Sequence, residues 1–82
     1  MEHTGEWDIK LFLFHHDTYA TVRVVLDTGT RTLEGRGHAG QFPDGCLMEP
    51  EIDAELAAGR ALSDLADQLK LIAAADDAAL QR

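Results

Sequence analysis

The sequence predicts an α+β fold in which a three-stranded antiparallel meander packs on one long C-terminal helix. Three runs within residues 7–39 follow the period of two that is typical of strands, the first of them apolar on both faces, and turn residues separate them. After Pro50 the apolar spacing changes to three and four residues, which is typical of a helix. No linker, repeat or low-complexity tract interrupts the 82 residues, so we expect a single domain over residues 1–82.

The first predicted strand, residues 7–14, is apolar on both faces. Trp7, Ile9, Leu11 and Leu13 point one way, and Asp8, Lys10, Phe12 and Phe14 point the other way. A sheet face that meets water usually shows a clean alternation of apolar and polar residues, and this strand lacks it from residue 11 onward.

The second and third predicted strands cover residues 19–26 and 31–39. The second is rich in β-branched residues, and one of its faces is apolar: Ala20, Val22, Val24 and Leu26. The third carries small residues on one face: Gly35, Gly37 and Ala39, beside Leu33. The connections between the strands are short, and Gly29 suits a tight turn, so the strands are expected to be antiparallel neighbours.

A loop at residues 40–49 precedes the predicted long helix, which begins at Pro50, where the missing N–H of proline is tolerated. The helix is expected to end near residue 72, and a second short helix is expected at 75–81. A buried stripe is predicted from Ile52, Leu56, Gly59, Leu62, Leu65, Leu69 and Ile72. Arg60 and Asp64 form an i,i+4 pair that is expected to brace the helix.

The long helix is expected to cover one sheet face. That face is built from Ile9, Leu11, Val22, Val24 and Leu33. Close approach to the third strand requires small side chains, which Gly35, Gly37, Ala39, Ala58, Gly59 and Ala61 supply.

The opposite sheet face carries an apolar patch that one helix cannot also cover. Its members are Phe12, Phe14, Tyr19 and Val25. Exposed apolar patches mark interaction sites, so we expect a homodimer interface across or beside the sheet, with exchanged strands as one form of it. The alternative is that Phe14 lies beneath the C-terminal residues and that Phe12 is an ordinary exposed aromatic.

Composition limits the compartment and the partners. The net charge of −8, from 15 acidic and 7 basic residues, favours solubility and argues against binding of bare nucleic acid. The single cysteine, Cys46, cannot form an internal disulfide and fits a reducing compartment. The acidic N-terminal residues do not resemble a secretory signal, and no apolar stretch approaches the roughly 20 residues that span a bilayer. We therefore expect a cytoplasmic protein without a membrane partner.

The candidate reactive residues do not form a catalytic or metal-binding constellation. His15 and His16 are adjacent and would point to opposite faces of a strand, so they cannot easily chelate one ion. Cys46 has no evident orienting acid or oxyanion site. The sequence therefore predicts a protein that is not an enzyme, with no metal, no cofactor and no small-molecule substrate.

An RNA-binding surface is the alternative to a homodimer interface. Lys10, Arg23 and Arg36 all fall on the outer sheet face beside aromatic residues, which is the composition of an RNA-binding platform. Asp8 and Glu34 lie on the same face and dilute its positive charge.

The helix segment resembles a small actinobacterial family of unknown function with a double-stranded-RNA-binding-domain-like fold. The resemblance is carried by Pro50-Glu51-Ile52, Glu55-Leu56-Ala57-Ala58 and Arg60-Ala61-Leu62-Ser63-Asp64-Leu65, and extends to Trp7, His16, residues 20–26, Gly35 and Gly37. It implies a β-β-β-α core, commonly dimeric, with a likeness in shape to ribosome-hibernation factors. It therefore implies a stress or dormancy role at the ribosome, and it implies no enzymatic activity.

The chain departs from that family in two places that bear on RNA. Family members tend to carry several bases on the second strand, whereas Thr21, Arg23 and Val25 include only one. The residues before Pro50 also differ. The leading hypothesis is a non-catalytic homodimeric interaction protein, associated with the ribosome under stress; the alternative is an RNA-binding module that uses the outer sheet face.

Overall fold

The computed structural model describes residues 5–40 and 50–80. Strands β1 (Asp8–His15), β2 (Tyr19–Asp27) and β3 (Thr32–Gly40) precede one helix, α1 (Pro50–Leu80). Residue 40 of the predicted loop at 40–49 belongs to β3 instead; the rest of that loop, including Cys46, and the end of the predicted second helix at Gln81 lie outside the described residues. The predicted fold class, a three-stranded antiparallel sheet followed by one long helix, is confirmed.

The sheet has the order β1-β2-β3, and both strand pairs are antiparallel. Two tight turns join the strands: the His16 N–H donates to the Tyr19 carbonyl, and the Thr28 N–H donates to the Arg31 carbonyl. Gly29 occupies the second turn with φ of +88°, a conformation that favours glycine.

The register separates the side chains into two faces. The inner face, toward α1, carries Ile9, Leu11, Leu13, Ala20, Val22, Val24, Leu26, Leu33, Gly35, Gly37 and Ala39. The outer face carries Asp8, Lys10, Phe12, Phe14, Tyr19, Thr21, Arg23, Val25, Asp27, Thr32, Glu34, Arg36 and His38.

The hydrophobic core lies between α1 and the inner faces of β2 and β3. It consists of Ala20, Val22, Val24, Leu26, Ala39, Ala57, Ala61 and Leu65, with Leu33, Leu56, Ala58 and Leu69 packed at its margin. The largest fully buried side chains are those of Leu26, Val22 and Val24. Each contributes about 1.5–3 kcal/mol to stability relative to an exposed position.

The helix lies against the backbone of β3, as the small residues of that strand predict. A Cβ atom added at Gly37 would collide with the backbone of Ala57 and Ala61, and one added at Gly35 would come within 2.9 Å of the Leu65 nitrogen. The prediction of close packing on Gly35 and Gly37 is therefore confirmed.

The predicted buried stripe on the helix is wrong in part. Gly59, Ile52 and Leu62 are exposed, whereas Ala57 and Ala61 are fully buried. The reason is the close approach of α1 to β3, which leaves room only for alanine opposite Gly37 and turns Ile52 and Leu62 to the sides of the helix.

The prediction of two helices is also wrong, because α1 runs without a break from Pro50 to Leu80. Residues 73–75 are all alanine, which has the highest helix propensity, and no glycine or proline follows them. At 1.5 Å per residue α1 is about 46 Å long, whereas the nine residues of β3 span about 30 Å. The C-terminal part of α1 therefore extends beyond the sheet.

The helix does not cover β1, which corrects the prediction for Ile9 and Leu11. Every residue of β1 is exposed, with Ile9 at 57 % and Leu11 at 46 %. The glycines of β3 draw α1 toward the β2–β3 side, so no element among the described residues covers the inner face of β1. Val22, Val24 and Leu33, the other predicted members of the covered face, are buried or half-buried as expected.

Candidate functional site

The two edges of the sheet differ in their hydrogen bonding, and the β3 edge is closed by side chains of α1. The Asp64 carboxylate accepts a hydrogen bond from the backbone N–H of Arg36 at 3.1 Å. Arg60 donates to the His38 carbonyl at 2.8 Å, and Gln68 donates to the Glu34 carbonyl at 2.7 Å.

These three helix residues are spaced four apart and lie along one side of α1. They bond alternate residues of β3, whose outward N–H and C=O groups would otherwise be available to another strand. Arg60 and Asp64, predicted to brace the helix by pairing with each other, bond the strand instead. Gln68 was not among the residues predicted from the sequence, although the i, i+4, i+8 spacing of Arg60, Asp64 and Gln68 places the three side chains on one side of a helix.

The β1 edge is open. In an antiparallel pair, residues alternate between those that bond the neighbouring strand and those whose backbone groups point away from it. The bond from the His16 N–H to the Tyr19 carbonyl fixes that alternation, so the outward backbone groups of β1 belong to Ile9, Leu11, Leu13 and His15. No side chain within residues 5–40 and 50–80 bonds these groups.

The four predicted interface residues all lie on the outer face, with no second layer of described residues above them. Phe12 and Phe14 on β1 are 37 % and 50 % exposed, and Tyr19 and Val25 on β2 are half-buried. The register places apolar side chains of β1 on both faces, as predicted, and those of the inner face are exposed as well. Tyr19 stacks on His16, with ring centroids 4.1 Å apart.

The three predicted RNA-contact residues also share the outer face, but their surroundings differ. Arg23 lies over the Phe12 ring, with its guanidinium carbon 4.9 Å from the ring centroid. Arg36 pairs with Glu34 at 2.7 Å. Lys10 precedes Phe12 by two residues on β1 and lies opposite Val25. It lines a small depression, which Asp8 and Asp27 also line.

A larger depression of about 530 Å³ lies on the same face, toward the turn between β1 and β2. It is lined by Phe14, Tyr19, Thr21, Val22, Arg23, Arg36, Gly37 and His38. None of these lining residues is acidic, in contrast to the surroundings of Lys10. Arg23 and Arg36 were predicted on this face from the sequence, whereas Thr21 was not predicted to line a depression. Its small side chain lies between Phe14 and His38 in the register.

Two further observations concern reactive and membrane-spanning elements. Among the described residues, no group of three His, Cys, Asp or Glu side chains is placed to hold a metal ion. Within residues 5–40 and 50–80, no helix is long and apolar enough to cross a membrane.

Asp53, at the N-terminal end of α1, is a buried carboxylate whose Oδ1 has no hydrogen-bond partner in the described part of the chain. Its position favours interaction with the helix dipole.

Comparison with known proteins supports the same fold. A sequence model of the Rv2632c-like family matches residues 5–81. The crystal structure of Rv2632c is similar to this chain, with 34% sequence identity and a TM-score of 0.82. The match covers 96% of this chain and 94% of that chain. No curated protein matches the sequence.

Proposed function

The chain belongs to the Rv2632c-like family, and from that premise we propose that it is a non-catalytic interaction protein that acts as a homodimer joined at β1. The observation that carries this proposal is the state of β1, which is apolar on both faces, exposed along its whole length and open at its edge. Natural proteins usually protect such an edge with charge, proline or a covering element.

The exposed area supports a second copy as the cover. A compact monomer of 9.0 kDa is expected to expose about 4,900 Å². This chain exposes 6560 Å², an excess of about 1,700 Å² to which both β1 and the part of α1 beyond the sheet contribute. A standard interface buries about 800 Å² on each partner. The radius of gyration, 16.5 Å, exceeds the value of about 12 Å expected for a compact chain of this length because α1 extends beyond the sheet, so it does not bear on the cover of β1.

In the proposed dimer the two β1 strands pair antiparallel about a two-fold axis, which gives a six-stranded sheet. The outward backbone groups of Leu11 and Leu13 satisfy one another across the axis, with the two copies of Phe12 adjacent at its centre. The inner-face Ile and Leu side chains of both copies then lie beside one another, which removes part of their apolar surface from water.

A matched pair of substitutions tests where the interface lies. Leu11→Lys places a charge on β1 and is expected to convert the dimer to a 9.0 kDa monomer in light scattering at micromolar concentration. Leu71→Lys is the control, since Leu71 is 72 % exposed on α1, away from β1, and its variant is expected to remain dimeric. A monomeric wild type, or equal effects of the two changes, would contradict the proposal.

A proline substitution tests edge pairing against face packing. The Leu13 N–H points away from β2, so Leu13→Pro removes a donor of the intermolecular ladder and no bond between β1 and β2. Leu13→Ala is the control for the lost side chain. We expect the proline variant to be monomeric and folded, and the alanine variant to dissociate less.

Substitutions of the predicted interface residues on the outer face distinguish pairing of the β1 edges from packing of the outer faces. Phe12→Asp is expected to weaken association in an edge-paired dimer, because the two copies of Phe12 are neighbours there. Substituting alanine for Tyr19 or Val25, both on β2, is expected to leave the dimer intact. Dissociation by the Tyr19 and Val25 variants would instead indicate that the outer faces stack.

The cellular part of the proposal is a ribosome-associated role in stress or dormancy. It is supported by the resemblance of the helix segment 50–65 to a family with a double-stranded-RNA-binding-domain-like fold and a likeness to ribosome-hibernation factors. Sedimentation of ribosomes from stressed cells tests it: the protein is expected in the ribosomal fractions, and its restriction to the top of the gradient would refute the role.

A second candidate function is RNA binding by the outer face. It is favoured by the observation that Arg23 has no carboxylate partner among the described residues and lies within an acid-free depression. RNA binding that weakens steeply with added salt would support it. Binding that is undetectable or insensitive to salt would remove it.

A further inference from the structure

We propose that the large outer-face depression binds one nucleoside monophosphate unit, either as a free nucleotide or within a single strand of RNA. This inference rests on the second candidate function, and it assigns the binding to particular side chains. The phosphate would lie between Arg23 and Arg36, and the base would lie against Phe14 beside Tyr19.

The arrangement of the two arginines is the first argument. Arg23 and Arg36 are directly opposite in the register, in a pair that does not share backbone hydrogen bonds, so their Cα atoms are about 4.5 Å apart. Like charges in this position destabilise a sheet. Glu34 offsets only the charge of Arg36. An anion held by both guanidinium groups would offset the remainder, and phosphate matches the paired donors of a guanidinium group.

The walls of the depression supply the second argument. Phe14 is half-exposed and presents a ring to the space above Thr21, on which a base can stack. Tyr19 is held in place by its stacking on His16. The depression, about 530 Å³ in volume, is open to solvent, so a bound nucleotide would remain partly exposed.

The charge distribution supplies the third argument. The chain as a whole is strongly acidic, so a general attraction to anions is not expected. The acidic residues of the outer face, Asp8, Asp27 and Glu34, do not line the depression, although Glu34 pairs with Arg36 at its edge, so the charge left without a carboxylate partner there is that of Arg23. Anion binding is therefore expected at this end of the sheet and not around Lys10.

The test is a titration of the full-length, ¹⁵N-labelled protein, followed by amide chemical shifts. The probes are AMP, adenosine, inorganic phosphate and a short single-stranded oligoadenylate. AMP is expected to shift the amides of Phe14, Thr21, Arg23, Arg36 and His38 and to bind about tenfold more tightly than adenosine or phosphate. The AMP and oligoadenylate arms separate the free nucleotide from the RNA strand as the natural source.

The matched variants are Arg23→Gln and Lys10→Gln, which remove the same charge from the same face inside and outside the depression. Arg23→Gln is expected to weaken AMP binding about tenfold, and Lys10→Gln is expected to leave it nearly unchanged. Both are exposed residues, and unchanged amide spectra elsewhere in the sheet will confirm that each variant is folded.

Three outcomes would overturn this inference. They are the absence of shifts with millimolar AMP, shifts confined to α1, and equal losses in the two variants. RNA binding that depends on Lys10 but not on Arg23 would retain the second candidate function and reject the depression as its site. Because the depression lies within one chain, the monomeric Leu13→Pro variant is expected to bind AMP as the wild type does.

Discussion

The β3 side and the β1 side of the same small sheet are built on opposite principles. On the β3 side, glycines admit the helix backbone, and Arg60, Asp64 and Gln68 bond the outward groups of the strand. On the β1 side, large apolar residues project from both faces and no described side chain bonds the edge. One helix seals one side only, and the proposed second copy would seal the other.

The largest effect is expected where the helix touches β3. Gly37→Ala would force a methyl group into the backbone of Ala57 and Ala61, and we expect the free energy of unfolding to fall by about 3 kcal/mol in urea denaturation. Gly59→Ala is the control, since nothing lies within 4 Å of an added Cβ there. It should raise stability by about 0.5–1 kcal/mol, because alanine is the better helix former. Equal losses at both sites would contradict close packing on β3.

A second change opens the closed edge without moving the helix. Replacing Arg60, Asp64 and Gln68 together by alanine removes three hydrogen bonds to β3, and we expect a loss of about 2 kcal/mol in all. It also creates a second unprotected edge, so light scattering should reveal assemblies larger than a dimer.

The control for this change is the double substitution of alanine for Asp67 and Lys70, exposed residues of α1 that bond no group of β3. It is expected to retain the mass of the wild type. If the triple variant also keeps that mass, the helix side chains do not protect the edge.

A smaller effect is expected on the open side, between Arg23 and Phe12. The cation–π contact at 4.9 Å should contribute about 0.5 kcal/mol, because both groups are exposed. A double-mutant cycle of Phe12→Leu and Arg23→Met, measured in the monomeric Leu13→Pro background, isolates it from dimerisation. A coupling free energy of zero would show that the stacked geometry contributes nothing.

The smallest effect is expected where α1 leaves the sheet. Arg31 and Asp76 approach to 3.9 Å with both side chains exposed, so Asp76→Asn should change the free energy of unfolding by less than about 0.5 kcal/mol. A larger loss would show that the outer part of α1 is held to the sheet more firmly than its contacts indicate.

Local patterns predicted most of the fold, and packing between elements determined the remainder. Alternation gave both faces of the sheet, and Pro50 gave the start of the helix, because these signals depend on neighbouring residues. The exposed state of Ile9 and Leu11 could not be predicted in this way, because it depends on the lateral position of α1 over the sheet. The glycines of β3 set that position.

The candidate surfaces were predicted less completely than the fold. Because successive side chains of a strand point to opposite faces, the sequence placed Phe12, Phe14, Arg23 and Arg36 on one face of the sheet. It could not show that Arg23 and Arg36 face each other, since that requires the register between β2 and β3. It could not show the edge bonds from α1 either, since these join residues more than twenty positions apart.

Because α1 is longer than the sheet, its backbone amides fall into two groups that differ in their protection from hydrogen exchange with solvent. Amides near Ala57 to Leu65 lie against the core and will exchange only when the whole domain unfolds. Those beyond Ile72 belong to a segment too short to be stable as a helix by itself, since isolated helices below about 12–15 residues are marginal in water. That segment will open and close independently of the core, so proteases will trim it from a chain that is still folded.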